Sequence, residues 1–504
     1  LWREKIIAYG IISLLFFAVL SSGSADLWAQ TVIHLGTILL LLFYFFISYQ
    51  RKEIVFISIP PSLIILFFSL ILSYFFSYSK FTSREEFFNW LNYFIFFLFA
   101  LLFSEEKKLF CKGIIGIAIF LTLKGIFDYF FHGVYPSKSS LINPNIFAGY
   151  LIMAIPLTIY QITDYRLQIT NWKFLASILL LVGLILTGSL GAILSLFLAF
   201  LLFFRPERKF FLVLVLVFSL LLIFKLSQLE VSNRLLWWQG AVKMFVTRPL
   251  TGIGLGNFAR YYSQFKTQGL NSLYAHNYYL QLLAENGIFS FLGFLGILMI
   301  YFLWQREKNW GISMGMTALL IHNFIDYNLS IPGVALTFWI LLGLEMNPAS
   351  IRCRVNLKGK KYFLVVLTIL LLFFSYFITR FFLANRFYAR GLYYFNTEKN
   401  LPKAERELLT SLKLDPEYTP TYQVLSTVYT QYFPQNKSVH WLEHALTLIG
   451  QAINKEKKYA PYWLDKAWIH YLLGEKENAR ETLEQAKKLK IPIYLTANLE
   501  KLIK

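Results

Sequence analysis

Residues 362–383 read YFLVVLTILLLFFSYFITRFFL, and at Ala384 the chain changes character. An apolar run of that length, carrying one charge at Arg380, is what a helix needs to cross a bilayer core, about 20 residues. Beyond Ala384 the sequence is polar, mixed in charge and helical in period. The junction therefore predicts two regions: a membrane domain over 1–383 and a helical domain over 384–504.

Working back from that junction, the same apolar signature recurs at approximately 6–21, 29–48, 57–77, 87–103, 111–131, 146–163, 173–188, 190–204, 210–227, 279–304, 311–328 and 331–347. Segments seven and eight are separated by little more than Gly188-Ser189, as a tight hairpin or one broken element. The first, after Arg3 and Lys5 and before Ser22-Gly23-Ser24-Ala25, has the make-up of a signal peptide. It is read as a retained helix, because so many helices follow. Composition agrees with this reading. The chain has 504 residues, 57% hydrophobic and 15% charged, with 51 Phe, more apolar than a soluble domain can use. Cys111 and Cys353 fall near predicted cytoplasmic boundaries, which supports neither a disulfide framework nor a metal cluster.

The net charge of +20 raises nucleic acid as a partner, but no compact basic soluble domain is present to bind it. Lys and Arg instead mark cytoplasmic loops. With the N-terminus inside, that side holds Arg51-Lys52, Lys107-Lys108, Arg166 with Lys173, Arg205/Arg208/Lys209, Arg306/Lys308 and the basic run from Arg352 to Lys361. The short loops opposite hold only Lys80, Arg84 and Lys138. Long loops are exempt from the rule, so loop 228–278 lies outside. Asn271 and Lys437 are thus expected outside and Arg354 inside.

The polar C-terminal region carries an internal period. Ala445, Ile449 and Ala452 recur 34 residues later as Ala479, Leu483 and Ala486. Ala404 and Leu408 match the first two at an offset of 41, with an apparent insertion near Phe433-Pro434-Gln435-Asn436. Tyr388, Tyr422 and Trp463 open the units. Paired helices of about 34 residues resemble tetratricopeptide repeats, although the consensus glycine is Leu392 in the first unit and Ala467 in the last. Such arrays either present a concave surface to a protein or peptide partner or cap the membrane domain.

Loop 228–278 and the spans after it hold the residues suited to chemistry. From Arg234, Leu235, Trp238, Val242 and Phe245 share one helical face and Gln239, Lys243 and Thr247 the other, as in an interfacial helix with its apolar side on the bilayer. Arg234 itself reads either as a two-pronged phosphate ligand or as an arginine snorkelling to headgroups. Arg248-Pro249-Leu-Thr-Gly252-Ile-Gly254-Leu-Gly256 is not a nucleotide loop: no strand precedes it and no apolar helix opens at its third glycine. Its glycines are expected to allow tight turns beside a substrate or the membrane. His276-Asn277 stands where the chain re-enters the membrane. An imidazole can take a hydroxyl proton at neutral pH, or serve as a cap or packing residue. Glu285 is too far along one helix to orient it. His322 and Asp326, four apart, would share a helix face near an outer membrane boundary, as functional groups or as a polar clasp.

Taken together, these elements resemble the O-antigen ligase and polymerase superfamily of bacterial membrane glycan transferases, over roughly residues 30–347. The strongest part runs from Arg234 through Pro249 and Gly252-x-Gly254 to His276-Asn277 and Gly287. Asn143-Pro144-Asn145 and His322 to Pro332 also look like family patterns. The resemblance implies an all-α polytopic bundle of about 12–13 spans, extended here by an extracytoplasmic α-solenoid over 384–504. It implies transfer of a glycan from a polyprenyl diphosphate carrier to a lipid, protein or glycan acceptor, at the outer face of a bacterial inner membrane. By resemblance His276 is the general base and Arg234 a diphosphate ligand, supported by Asn277, Glu285, His322 and Asp326, with no cofactor or metal. One departure matters. Members often carry Ser-Arg-Gly at the eighth span, where this chain has Ser189-Leu190-Gly191. Lys243, Arg248 or Arg260 would then have to supply the missing cation. A transporter or flippase, which would show repeated halves with broken helices, and a scaffold acting through its repeats are the competing classes.

Overall fold

The computed structural model describes residues 2–57, 59–163, 172–204, 230–266, 269–304, 309–346, 352–356 and 361–503. The membrane part contains α1 (Trp2–Leu20), α2 (Leu27–Arg51), α3 (Pro61–Phe75), α4 (Lys80–Leu102), α5 (Lys107–His132), α6 (Pro144–Thr163), α7 (Trp172–Leu186) and α8 (Leu190–Phe204). After the loop helices α9 (Glu230–Thr247) and α10 (Phe258–Phe265) come α11 (Tyr278–Trp304), α12 (Trp310–His322), α13 (Pro332–Glu345) and α14 (Lys361–Asn396). Twelve of the thirteen predicted spans are therefore helices, and the ninth, 210–227, lies outside the described residues. Among the described residues five helices are long and apolar enough to cross a membrane, and six shorter ones are apolar. The chain is a multi-pass membrane protein.

Lipid tails are as apolar as leucine, so bundle helices associate through close packing and polar contacts rather than by escaping water. Two crossings show this. Gly311 and Gly315 of α12 face α6, where an added Cβ would come within 2.5 Å of Tyr160 Cβ and of the Met153 carbonyl oxygen respectively. Gly293 of α11 meets the Leu66 backbone of α3, and Ser69 and Ser290 pair between the same two helices at 2.8 Å. α1 is part of this core through Ile7, Ala8, Ile11 and Leu15. Outward-facing side chains such as Leu39, Phe68, Ile369 and Phe373 are exposed and apolar, as a lipid-facing surface requires. α7 packs on α5 and α6, and α8 packs on α6 and α12, the two meeting at Gly188 with φ +61°.

One element lies outside the all-α expectation. β1 (Glu53–Ile57) and β2 (Arg352–Asn356) form an antiparallel ribbon, Glu53 opposite Asn356 and Ile57 opposite Arg352. It follows Arg51-Lys52 and begins at Arg352, so two of the basic loops assigned to one side do meet there. Another polar pairing lies among the basic loops, Lys107 with the buried Glu345 at 2.5 Å.

The polar region forms α15 (Leu401–Leu414), α16 (Thr419–Asn436), α17 (Val439–Lys455), α18 (Ala460–Leu472), α19 (Lys476–Lys488) and α20 (Ile493–Ile503). Adjacent helices pack in sequence order, and the period-matched Ala404, Ala445, Ala452, Ala479 and Ala486 are all fully buried in α15, α17 and α19. The change of composition at Ala384 coincides with no break, because α14 continues unbroken to Asn396 and packs on both α2 and α15. The C-terminal helices also dock on the loop side of the bundle. Arg84 of α4 pairs with Asp415, its Nη1 donating to Oδ1 at 3.2 Å, and Phe81 meets Tyr418 edge to face at 5.0 Å.

Candidate active site

The turn 274–277 is built before α11 begins and is held from several directions. Asn277 caps the helix, its Oδ1 accepting from Leu280 N at 3.0 Å. Ala275 N donates to Gln281 Oε1 at 3.1 Å, and Trp238 Nε1 donates to the His276 carbonyl at 3.2 Å. Tyr278 N donates to the carbonyls of Asn323 at 2.9 Å and Asp326 at 3.1 Å, which ties the turn to the end of α12. Under these constraints His276 adopts φ +50°, a left-handed conformation unfavourable for a residue with a Cβ.

The imidazole is gripped by rings. Trp237 of α9 stacks on one face with centroids 4.6 Å apart, and Tyr327 approaches with its ring perpendicular at 4.7 Å. Its Nδ1 is buried and has no hydrogen-bond partner among the described residues. His276 is not the cap, since Asn277 is, but its ring contacts suit a packing residue as well as a base. Burial and then the nearby Arg234 guanidinium push the His276 pKa down to about 3, so the ring is neutral and, in the free protein, a weak base. Tyr274 stacks on Tyr327 at 4.0 Å, and Asn143 Nδ2 donates to Tyr327 Oη at 2.5 Å. Tyr274 ends the long loop within Tyr274-Ala275-His276-Asn277 and Asn143 stands within Asn143-Pro144-Asn145, whereas Tyr327 carries no such signal in the sequence.

Arg234 lies near the start of α9, where its Nη1 donates to the Ile325 carbonyl at 2.8 Å. It stands within electrostatic reach of both His276 and His322. The other three cations do not join it. Lys243 is nine residues further along α9, which places it about 13 Å away and on the opposite face, exposed. Arg248 donates to the Phe76 carbonyl and lies over the Tyr78 ring at 4.7 Å. Arg260 is held by the C-terminal helices: Nε donates to Glu456 Oε2 at 2.8 Å, Nη2 to Tyr462 Oη at 2.7 Å, and the Tyr459 ring covers it at 3.9 Å. Burial would lower the Arg260 pKa, but Glu456 and the surrounding tyrosines raise it above its usual value.

His322 and Asp326 are not on one helix face, because α12 ends at His322. There Asn323 Nδ2 turns back to the Leu319 carbonyl at 2.8 Å and its Oδ1 accepts from Leu329 N at 3.2 Å. His322 Nδ1 pairs with Asn328 Nδ2 at 3.0 Å, and Asp326 Oδ1 accepts from Tyr327 N at 2.9 Å. Both shape the turn that presents Tyr327. The diverged tripeptide stands beside them: a Cβ on Gly191 would be 3.4 Å from His322 Nε2. On α9 Leu235 and Val242 are exposed, as are Gln239 and Lys243, while Ala241 and Met244 are buried.

Glu285 acts on the glycine-rich turn rather than on His276. Its Oε1 accepts from Phe258 N at 2.9 Å, and its carbonyl accepts from Gly254 N at 2.9 Å. Ile288 N donates to the Pro249 carbonyl at 2.8 Å. The turn thus docks on a break in α11 at Gly287, φ +77°, and neither membrane nor substrate explains Gly252. A Cβ at Gly252 (φ +65°) would sit 2.2 Å from the Glu285 carbonyl carbon, and one at Gly287 would sit 2.3 Å from the Leu250 carbonyl oxygen. Gly252→Ala and Gly287→Ala should each destabilise the protein by about 1–3 kcal/mol or more from backbone strain alone, read as a lowered thermal midpoint in nanodiscs. An unchanged midpoint for either would mean the interlock is dispensable.

No curated protein matches the chain. The segment that carries His276, Arg234, the glycine turn and the first half of α11, residues 175–295, matches the family model described as O-antigen ligase.

Proposed function

We propose that the protein transfers a glycan from a polyprenyl diphosphate carrier to an acceptor hydroxyl at the extracytoplasmic membrane face, as an O-antigen ligase-like enzyme of a bacterial inner membrane. The observation that carries this reading is the His276 imidazole, locked between Trp237 and Tyr327 with Nδ1 unpaired and Arg234 nearby. His276 takes the proton of the attacking hydroxyl. The guanidinium of Arg234, with one N–H on the Ile325 carbonyl, offers its remaining donors to the diphosphate and stabilises the charge that grows as it leaves. The oxygen of the acceptor forms the new glycosidic bond as the bond to the diphosphate breaks. The O-antigen ligase likeness of residues 175–295 supports the same chemistry. The helices after Ala384 are read as tetratricopeptide-like repeats on the outer face, in keeping with their docking on the His276 side of the bundle.

Arg234 then has to do alone what a pair of cations does in relatives with arginine at the Leu190 position. Arg234→Ala should both weaken donor binding and slow transfer, because the charge it meets exists before the reaction and increases during it. A charge-assisted contact of this kind is worth roughly 1.5–3 kcal/mol, a loss of about 10–150-fold. Arg234→Lys should rescue only in part, since a point charge lacks the planar fork. The test is transfer from a purified polyprenyl diphosphate glycan in nanodiscs. Wild-type kinetics for Arg234→Ala would remove it from the site, and absence of transfer by the wild type would refute the assigned activity.

A further inference from the structure

Two cavities meet on the loop side of the bundle. The inner one, about 270 Å³, lies between α4 and α11 and presents Glu85, Glu86, Asn89, Gln281 and Glu285, with Tyr274 in its wall. The outer one, about 520 Å³, opens between the loop and the repeats, beside Phe81, Arg260 and Tyr459. Thr82, Gly256, Ala259 and Leu273 line both, so the two are one groove with a neck. The neck is kept open by small residues: a Cβ on Gly256 would already approach Glu86 Cβ to 3.3 Å, and Ala259 is exposed.

The chemistry of this groove excludes most ligands of the proposed reaction. Its inner part holds three carboxylates and no lysine or arginine. At its outer end the Arg260 charge is matched by Glu456. A diphosphate would find no cation in that inner part among the described residues, and a polyprenyl tail would lie against polar carboxyl and amide groups rather than an apolar wall. Carboxylates accept hydroxyl hydrogens, amides donate and accept, and flat rings cover apolar faces. That combination suits a chain of uncharged sugars. The groove also leads toward the chemistry, because Tyr274 stacks on Tyr327 at 4.0 Å and Tyr327 lies 4.7 Å from His276.

We infer that this groove is the acceptor site, that it takes a neutral, hydroxyl-rich oligosaccharide, and that the repeat domain forms its outer wall. The inference rests on the transferase reading above. It assigns the repeats a place in substrate recognition, where the sequence suggested a protein partner or a cap.

The experiment compares cells lacking the gene and complemented with wild type, Ala259→Trp, Glu86→Gln or Gln239→Trp, the last placing bulk on the exposed face of α9 away from the groove. Glycan transfer is measured on extracted cell-envelope glycans. Binding of undecaprenyl diphosphate is measured on each purified full chain in nanodiscs. Glu86→Gln should lower transfer at least about tenfold, as loss of a contact to a charged group does, and Ala259→Trp should lower it at least as much by filling the neck, both with undecaprenyl diphosphate binding unchanged. Gln239→Trp should match wild type. Transfer at the wild-type level by Ala259→Trp overturns the groove, and so does loss of undecaprenyl diphosphate binding in that variant. A phosphate or uronic acid at the attachment point, seen by mass spectrometry of the product, overturns the neutral acceptor. Absence of any transfer by the wild type is a different result: it removes the transferase activity and the acceptor site together.

Discussion

His276→Ala should abolish glycan transfer, by about 10²–10⁴-fold in rate, while donor binding and protein level stay near wild type. A general base acts as bonds change, so its removal falls on turnover and not on ground-state binding. The pH dependence adds a second, sharper expectation. In the free protein the His276 pKa is pushed down to about 3 by burial and by Arg234. A base that weak accepts a hydroxyl proton poorly. An anionic diphosphate beside Arg234 would neutralise the second of those causes, and the imidazole would gain basicity once the donor is in place. The acid limb of kcat should therefore lie at higher pH than that of kcat/KM, which reports the free protein. Coincident acid limbs would show that the donor does not tune this base, and near wild-type turnover by His276→Ala would exclude it. The linkage to stability has a definite sign. His276 stays neutral in the fold at a pH where an unfolded histidine, near 6.5, takes up a proton, so its contribution destabilises the fold as pH drops below that value.

Glu456→Gln should destabilise the docking of the C-terminal helices on the loop by about 3–5 kcal/mol, the range for breaking a buried ion pair from one side. The Glu456 side chain is 1% exposed and accepts from Arg260 Nε, from Tyr261 Oη at 3.2 Å, from Ser79 Oγ at 3.1 Å and from the Thr419 hydroxyl. The amide keeps the shape but leaves Arg260 buried without its counter-charge. The double variant Arg260→Met/Glu456→Met should recover most of the loss, because no uncompensated charge remains. The measurement is thermal unfolding of the full chain with limited proteolysis across the loop. A Glu456→Gln protein that melts and resists protease like wild type would show that this carboxylate does not hold the two regions together.

The same junction marks where sequence reading stopped. Spans such as 190–204 are recovered to the residue because each is a local apolar run between polar ends. α12 was drawn too long because Asn323 and His322 end it by side-chain bonds that hydropathy does not register. Of Glu53–Ile57 all but Ile57 reads as the loop before the third span, since its strand character depends on a partner far away in the chain. At the site, His276, Asn277 and Arg234 announce themselves as polar groups at membrane boundaries. Lys243, Arg248 and Arg260 looked equivalent to Arg234 on charge alone, and only helix phase and the separate partners of each distinguish them. Tyr327 and the carboxylates of α4 meet Tyr274 across long separations and carry no local pattern.

The β1–β2 ribbon has a consequence for how the protein is made. Its first strand follows α2, and its second is not synthesised until α13 has left the ribosome. Until then the hydrogen-bonding groups of Glu53–Ile57 have no ladder to join, and an unpaired edge is a site for unwanted pairing. Closing so long a loop adds little entropic cost beyond closing a shorter one, because the cost rises only with the logarithm of length. The ribbon is thus a clasp that fastens late, and the membrane domain reaches its final closure only when nearly all of its helices have been inserted.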